Sequence, residues 1–391
     1  MRRILIASIA AGVILSAGFA AGASRAYAAD QGQPVILGGV YNRHGEQASL
    51  DIPTARGARL AVRELNRKGG VLDRPLRLIA VDGDTKADVL KEKTAQLFER
   101  FPSIVALTGL SDTDMVLAAA PVAAAHRRLF LTSGATSPQL PAQIPDYLFL
   151  ACFGDNVQAA AGAEWAYRDR GARTAAILYD SSSTYTRLLQ GYFKARFEAL
   201  GGQVVSSEAY AGQDLDGPIG HLKKADMVFL SAHTPGDAAV AVARLRAAGF
   251  SGLILGGDGF DSETVWRRLP NVSKVFFTTH AYLGADNRAL GVVAFRRAYR
   301  EMFANSEPDA FAALGYDSVR LLASAIERAG RDDPGAVLDA LASTRNFKGV
   351  TGTFSYADSS HIPTKSVSIV EIRKGKRRLA KEFIPSAVPP P

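Results

Sequence analysis

From Pro34 onward the chain alternates short apolar runs with longer amphipathic ones, and this alternation constrains the fold more than any other feature. Residues 35–40 are apolar and of strand length. Residues 52–68 then place Ala55, Ala58, Leu60, Ala61, Val62 and Leu65 at helical spacing and stop at Gly69 and Gly70. The pattern predicts strands over 76–81, 104–107 and 129–131, and helices over 87–100 and 115–126. In the first of these helices Leu90, Thr94, Leu97 and Phe98 share the inward face. Strands that alternate with helices in this way build a parallel sheet covered on both faces.

An apolar stretch at 147–153 reads as a crossing into a second unit with the same rhythm. That unit has helices over 157–170, 183–200 and 236–248, and strands over 174–178, 204–210, 227–230, 253–255 and 275–278. Helices over 288–303, 311–329 and 334–342 follow, then late strands over 350–356 and 366–371, and a tail, 385–391, expected to fray. The expected fold is α/β, with two doubly wound parallel-sheet lobes and a cleft between them.

The first 29 residues stand outside both lobes. Arg2 and Arg3 make a basic start, the next stretch is largely apolar, and Ala26, Tyr27 and Ala28 give a small-x-small pattern, so an export signal cut near Ala28 or Ala29 is expected. Without Arg2, Arg3 and Arg25 the formal charge falls from +8 to +5. The surplus is spread among mixed Arg and Glu on helices. A nucleic-acid surface would concentrate it in one stripe with interleaved aromatics, so no nucleic-acid partner is expected. The run from Arg373 to Arg378 reads as a solvated strand end. The single Cys152 cannot form an internal disulfide and is expected to be a small buried hydrophobe.

The stretch LFLTSGATSP, ending at Pro138, breaks from a strand into small hydroxyl-bearing residues. At the carboxyl end of a strand in an open α/β sheet such a loop faces the crevice where ligands sit. It holds no His, Cys, Asp or Glu, so it is suited to hydrogen bonding a small polar ligand. Nowhere does the chain carry GxSxG, HExxH, a phosphate loop or Cys and His at metal spacing. A hydrolase using Ser133 or Ser181 as nucleophile is the weaker alternative, and no catalytic residue, metal or cofactor is assigned.

Four segments together resemble the type I periplasmic binding proteins of the leucine/isoleucine/valine-binding class. They are the run from Gly38, GARLAVRELNRKGGVLDRPLRLIAVD ending at Asp82, the TSGATSP loop, and LGGDG ending at Gly259. The resemblance covers essentially the whole mature chain. It implies two lobes joined by three crossings: residues 33–150 with 281–352 in one, and 151–280 with 353–384 in the other. It places a carboxylate site on Thr113 and Thr136 within the 134–136 loop, where Gly134 would offer its carbonyl to an ammonium and Ala135 lies between. Asp258 would be the acidic partner of that ammonium, Tyr185 the aromatic closing from the second lobe, and Phe311 a hydrophobic wall.

The sequence also departs from the family. Leu50 and His233 stand where aromatics are usual, Asp112 and Asp114 flank Thr113, and Arg43 and His44 lie in the first loop. Thr113 and Asp258 have simpler readings too, as a helix cap and a solvated turn residue. The resemblance implies a periplasmic, monomeric receptor that captures an amino acid and delivers it to the membrane permease of an ABC transporter. A receptor for a small organic or aromatic acid, or a sensor of the same fold, is the alternative.

Overall fold

The computed structural model describes residues 32–212, 214–356 and 360–391; the expected export signal lies outside them. Its first sheet contains β1 (Val35–Tyr41), β2 (Leu76–Asp82), β3 (Ile104–Gly109), β4 (Leu129–Thr132) and β5 (Leu148–Leu150), all parallel, in the order β2-β1-β3-β4-β5. The helices between them are α1 (Ala48–Arg67), α2 (Ala87–Arg100), α3 (Thr113–Ala125) and the single turn α4 (Leu140–Gln143). β3 and β4 are buried along their whole length, as strands covered on both faces must be.

The second sheet follows the same plan with β6 (Thr174–Asp180), β7 (Gln203–Tyr210), β8 (Met227–Ser231), β9 (Leu253–Gly256) and β10 (Val275–Thr279). Its helices are α5 (Asp155–Glu164), α6 (Thr184–Ala199), α7 (Asp216–His221) and α8 (Pro235–Ala247). The chain then returns to the first lobe with α9 (Leu290–Met302), α10 (Ala310–Ala329), α11 (Pro334–Ala342) and a hairpin of β11 (Phe347–Gly349) and β12 (Gly352–Phe354). It finishes in the second lobe with β13 (Val367–Arg373) and β14 (Lys376–Phe383).

The two sheets confirm the doubly wound expectation and amend it in four places. The second sheet, ordered β14-β13-β10-β9-β8-β6-β7, is mixed, because β13 runs antiparallel to β10 and β14 antiparallel to β13. β14 went unread because Lys376–Phe383 is mostly exposed and charged, as an edge strand tends to be. The strand expected over 350–356 is the β11–β12 hairpin. The passage into the second lobe also comes later than residue 352. Phe354 and Tyr356 are buried in the first lobe's core, and Tyr356 Oη donates to the Leu150 carbonyl. Lys365 Nζ still reaches the Ala151 carbonyl and Thr351 Oγ1.

Nor is the tail free. Glu164 accepts from the Ser386 amide and hydroxyl while also pairing Arg196 and Arg168, and the Pro389 carbonyl accepts from Asn156. The helix expected over 157–170 starts at Asp155 and finishes as one wide π turn, Trp165–Asp169.

One helix contact sets the wall of the cleft. A Cβ on Gly57 would stand 1.8 Å from the Ala312 carbonyl oxygen, and one on Gly315 2.0 Å from that of Thr54. α1 and α10 therefore touch backbone to backbone, a distance only glycine allows. This packing holds Leu50 at the start of α1 near Phe311 at the start of α10, and both side chains are buried.

Candidate functional site between the lobes

In a doubly wound sheet the ligand crevice lies beyond the carboxyl ends of the strands, where the strand order reverses. The first sheet reverses between β1 and β3, and the second between β6 and β8. The loops leaving those strands and their neighbours meet at one small, tightly closed cavity. From the first lobe it is lined by Gln47 and Leu50 after β1, Ser111, Asp112 and Thr113 after β3, Thr136 after β4, and Phe311. The second lobe supplies Tyr185 after β6, His233 after β8, and Asp258 and Gly259 after β9. A larger hollow lies between residues 282–286 and 374–378, but it is open to solvent and cannot bury a ligand on all sides.

The lobes are closed on one another around this cavity. His233 Nε2 lies 2.9 Å from Asp112 Oδ2, and the Thr184 amide donates to Asp114 Oδ2 at 3.1 Å. Burial disfavours a charged His233. The hydrogen bond and charge of Asp112, helped by Asp180 and Asp237, outweigh burial and raise its pKa above the ordinary value. Asp112 also caps α3, accepting from the Met115 amide. The capping reading therefore belongs to Asp112 and not to Thr113. Thr113 opens the helix, where unpaired amides and the helix dipole favour an anion, and its hydroxyl is buried with no protein partner.

Asp258 is no solvated turn residue. Only 3 % exposed, it accepts at Oδ1 from Tyr185 Oη at 2.8 Å and Gln158 Nε2 at 2.7 Å, and at Oδ2 it lies 3.0 Å from His280 Nε2. Burial lowers the His280 pKa despite Asp258, so the ring is neutral and its Nε2–H donates. Tyr185 Oη also accepts from the Gly259 amide, which locks the ring against the LGGDG loop. Gln158 is itself fixed, donating to Asp155 and accepting from Thr278. With three donors on four lone-pair directions, the Asp258 carboxylate keeps capacity for one more.

Residues 14–377 match the family model described as periplasmic binding protein. The chain belongs to that family. Among curated proteins it is 26% identical over 362 residues to Leu/Ile/Val-binding protein homolog 3 of Brucella melitensis, covering 90% of this chain and 94% of the relative. Among solved structures it is similar to the branched-chain amino acid transporter substrate-binding protein LivJ of Streptococcus pneumoniae in complex with isoleucine. That match has a TM-score of 0.82 and 25% identity, and covers 91% of this chain and all of the other. The leucine-binding protein LivK of Thermotoga maritima aligns with a TM-score of 0.81 at 26% identity, over 90% of this chain and 99% of the other.

Within this binding-protein fold, Thr113, Thr136, Tyr185, His233, Asp258, Leu50 and Phe311 meet at one cavity. Gly134 and Ala135 stand behind that lining. The Gly134 backbone lies against Phe311 and Ser111, and the Ala135 carbonyl accepts from the buried Cys152 thiol. Arg43 and His44 lie outside the cavity, exposed and paired with Asp82, with His44 also reaching Asp84. The two candidate nucleophiles find only neutral partners: Ser133 contacts Thr108 and Ser318, and Ser181 donates to the Tyr210 carbonyl.

Sequence reasoning missed Gln47, Ser111 and Gly259 in the lining, and Gln158, His280 and Asp155 behind Asp258. Gln47 was within reach, three residues before Leu50 and hence on the same helix face. His280 was within reach too, directly after the carboxyl end of β10. No helix among the described residues is long and apolar enough to cross a membrane.

Proposed function

We propose that this chain is the periplasmic substrate-binding protein of an ABC transporter and captures an amino acid between its lobes for delivery to the membrane permease. The observation that carries the reading is the opposed polarity of the cavity. Asp258, held by three donors and lined up with Tyr185, is suited to an ammonium. The start of α3 with Thr113, together with Thr136, is suited to a carboxylate. A zwitterion spanning both would touch both lobes and so bind the closed form better than the open one, which is what makes a binding protein signal occupancy by closing. Branched-chain amino acids named for its relatives support the same class of ligand.

Mass spectrometry of whatever is released on denaturing the natively purified protein, followed by calorimetric titration of the apo protein with that compound, tests the proposal. An α-amino acid binding one to one is expected. Release and tight binding of an aromatic or aliphatic acid without an amino group would favour the organic-acid alternative.

A further inference from the structure

Beside Asp258 a second polar group lines the cavity and is not accounted for by a ligand's ammonium and carboxylate. Gln47 is completely buried, immediately precedes α1, and makes no capping bond with its side chain. Its terminal amide nitrogen position lies 2.7 Å from His233 Nε2, the same nitrogen that meets Asp112 Oδ2. A carboxylate can only accept, so Nε2 carries a proton. An amide NH₂ cannot accept it, whereas an amide oxygen can share it, and the two ends of the amide exchange by a half-turn of the last side-chain bond. The Gln47 oxygen therefore faces His233. Its NH₂ takes the other position, which is buried and has no protein partner.

A buried donor left unpaired is costly, and a side chain of the ligand is what remains to pair it. Resting on the amino-acid reading above, we infer that the ligand is an amino acid whose side chain carries a neutral hydrogen-bond acceptor, an amide or hydroxyl, read by the Gln47 NH₂. An aliphatic side chain would bury that NH₂ against carbon and leave it unsatisfied. A carboxylate side chain would bring a further negative charge among Asp112 and Asp258, with His233 already committed to Asp112. Leu50 and Phe311 supply the apolar walls around the polar tip. Sites built to hydrogen-bond a substrate group discriminate strongly against isosteres that lack it.

Two isosteric pairs test this: asparagine against leucine, and glutamine against methionine, titrated calorimetrically into the mature protein, with aspartate and glutamate as charge controls. In whichever pair binds, the amide member should bind at least tenfold tighter than its apolar isostere and than its acid counterpart. Gln47→Met should erase that preference by weakening the amide ligand tenfold or more relative to the apolar one. Because the comparison within wild type stands alone, a poorly folding variant would not decide the matter. Leucine or methionine binding as tightly as its amide partner would overturn the inference and leave the amino-acid receptor intact. Absence of binding by every amino acid, with an acid lacking an amino group binding instead, would overturn the receptor reading itself.

Discussion

Asp258→Asn removes one charge from the cavity and little else, because its surroundings can adapt to the amide. The aspartate faces three donors, and an asparagine would turn its NH₂ toward one of them. His280 offers a partial escape: the ring can move its proton to Nδ1 and present Nε2 as an acceptor, at the cost of leaving a buried Nδ1–H without a protein partner. The fold should therefore survive with a lowered melting temperature, so binding is compared at a temperature where both proteins are folded. What is lost is the charge-assisted bond to the ligand ammonium, worth about 1.5–3 kcal/mol, or roughly tenfold to 150-fold in Kd. Paired calorimetric titrations with the amino acid ligand and its deaminated analogue read this out. The amino acid should lose that factor in the variant. The analogue, which leaves Asp258 unmatched in wild type, should lose nothing or gain. Amino acid affinity within twofold of wild type in Asp258→Asn would refute the assignment of Asp258 as the ammonium partner.

Three further outcomes follow from the same structure. Asp112, across the cleft, is the largest cause raising the His233 pKa, with Asp180 and Asp237 adding from its own lobe, so the part of its contribution that depends on closure is complete below about pH 6.5 and fades as pH climbs through the raised value. Calorimetry at pH 6 and pH 8.5 should show weaker binding at the higher pH, and Asp112→Asn should flatten the difference. Asp155 is buried with Oδ2 unpartnered, and burial followed by the charge of Asp258 raises its pKa to about 8. The folded state thus holds a proton that the unfolded chain releases above about pH 4, and stability falls between pH 4 and pH 8. Asp155→Asn should therefore melt at least as high as wild type at pH 8 and show a flatter pH profile by scanning calorimetry; a markedly lower melting point at pH 8 would contradict the protonated state. Finally, amino-terminal sequencing of the exported protein should begin just after Ala28 or Ala29, and an intact Met1 would sink the export reading.

The lobes were legible because their strands are short, buried and apolar while their helices carry a one-sided pattern; β3 and α9 are examples of each. Elements whose burial is slight left no such trace. β14 is mostly charged and exposed, and α7 has no buried residue at all. The sites divide along the same physical line. Thr113, Tyr185, His233 and Asp258 follow strand ends, where a sequence reader looks for them. Gln158 acts on Asp258 from α5, brought there by the three-dimensional path of the crossings, which no local pattern encodes, whereas His280 directly follows β10 and was open to the same reading as Asp258. The tail was misjudged because Pro-rich ends usually fray, whereas here Glu164 of α5 captures Ser386.

The central claim is a zwitterion held end to end between the lobes, and a crystal structure of the protein with its released ligand restored tests it most directly. The account predicts the ligand ammonium within hydrogen-bond distance of Asp258 and its carboxylate at Thr113, Thr136 and the first amides of α3. A ligand seated in the open hollow beside Arg377, or one lying in the cleft with its carboxylate against Asp258, would contradict it.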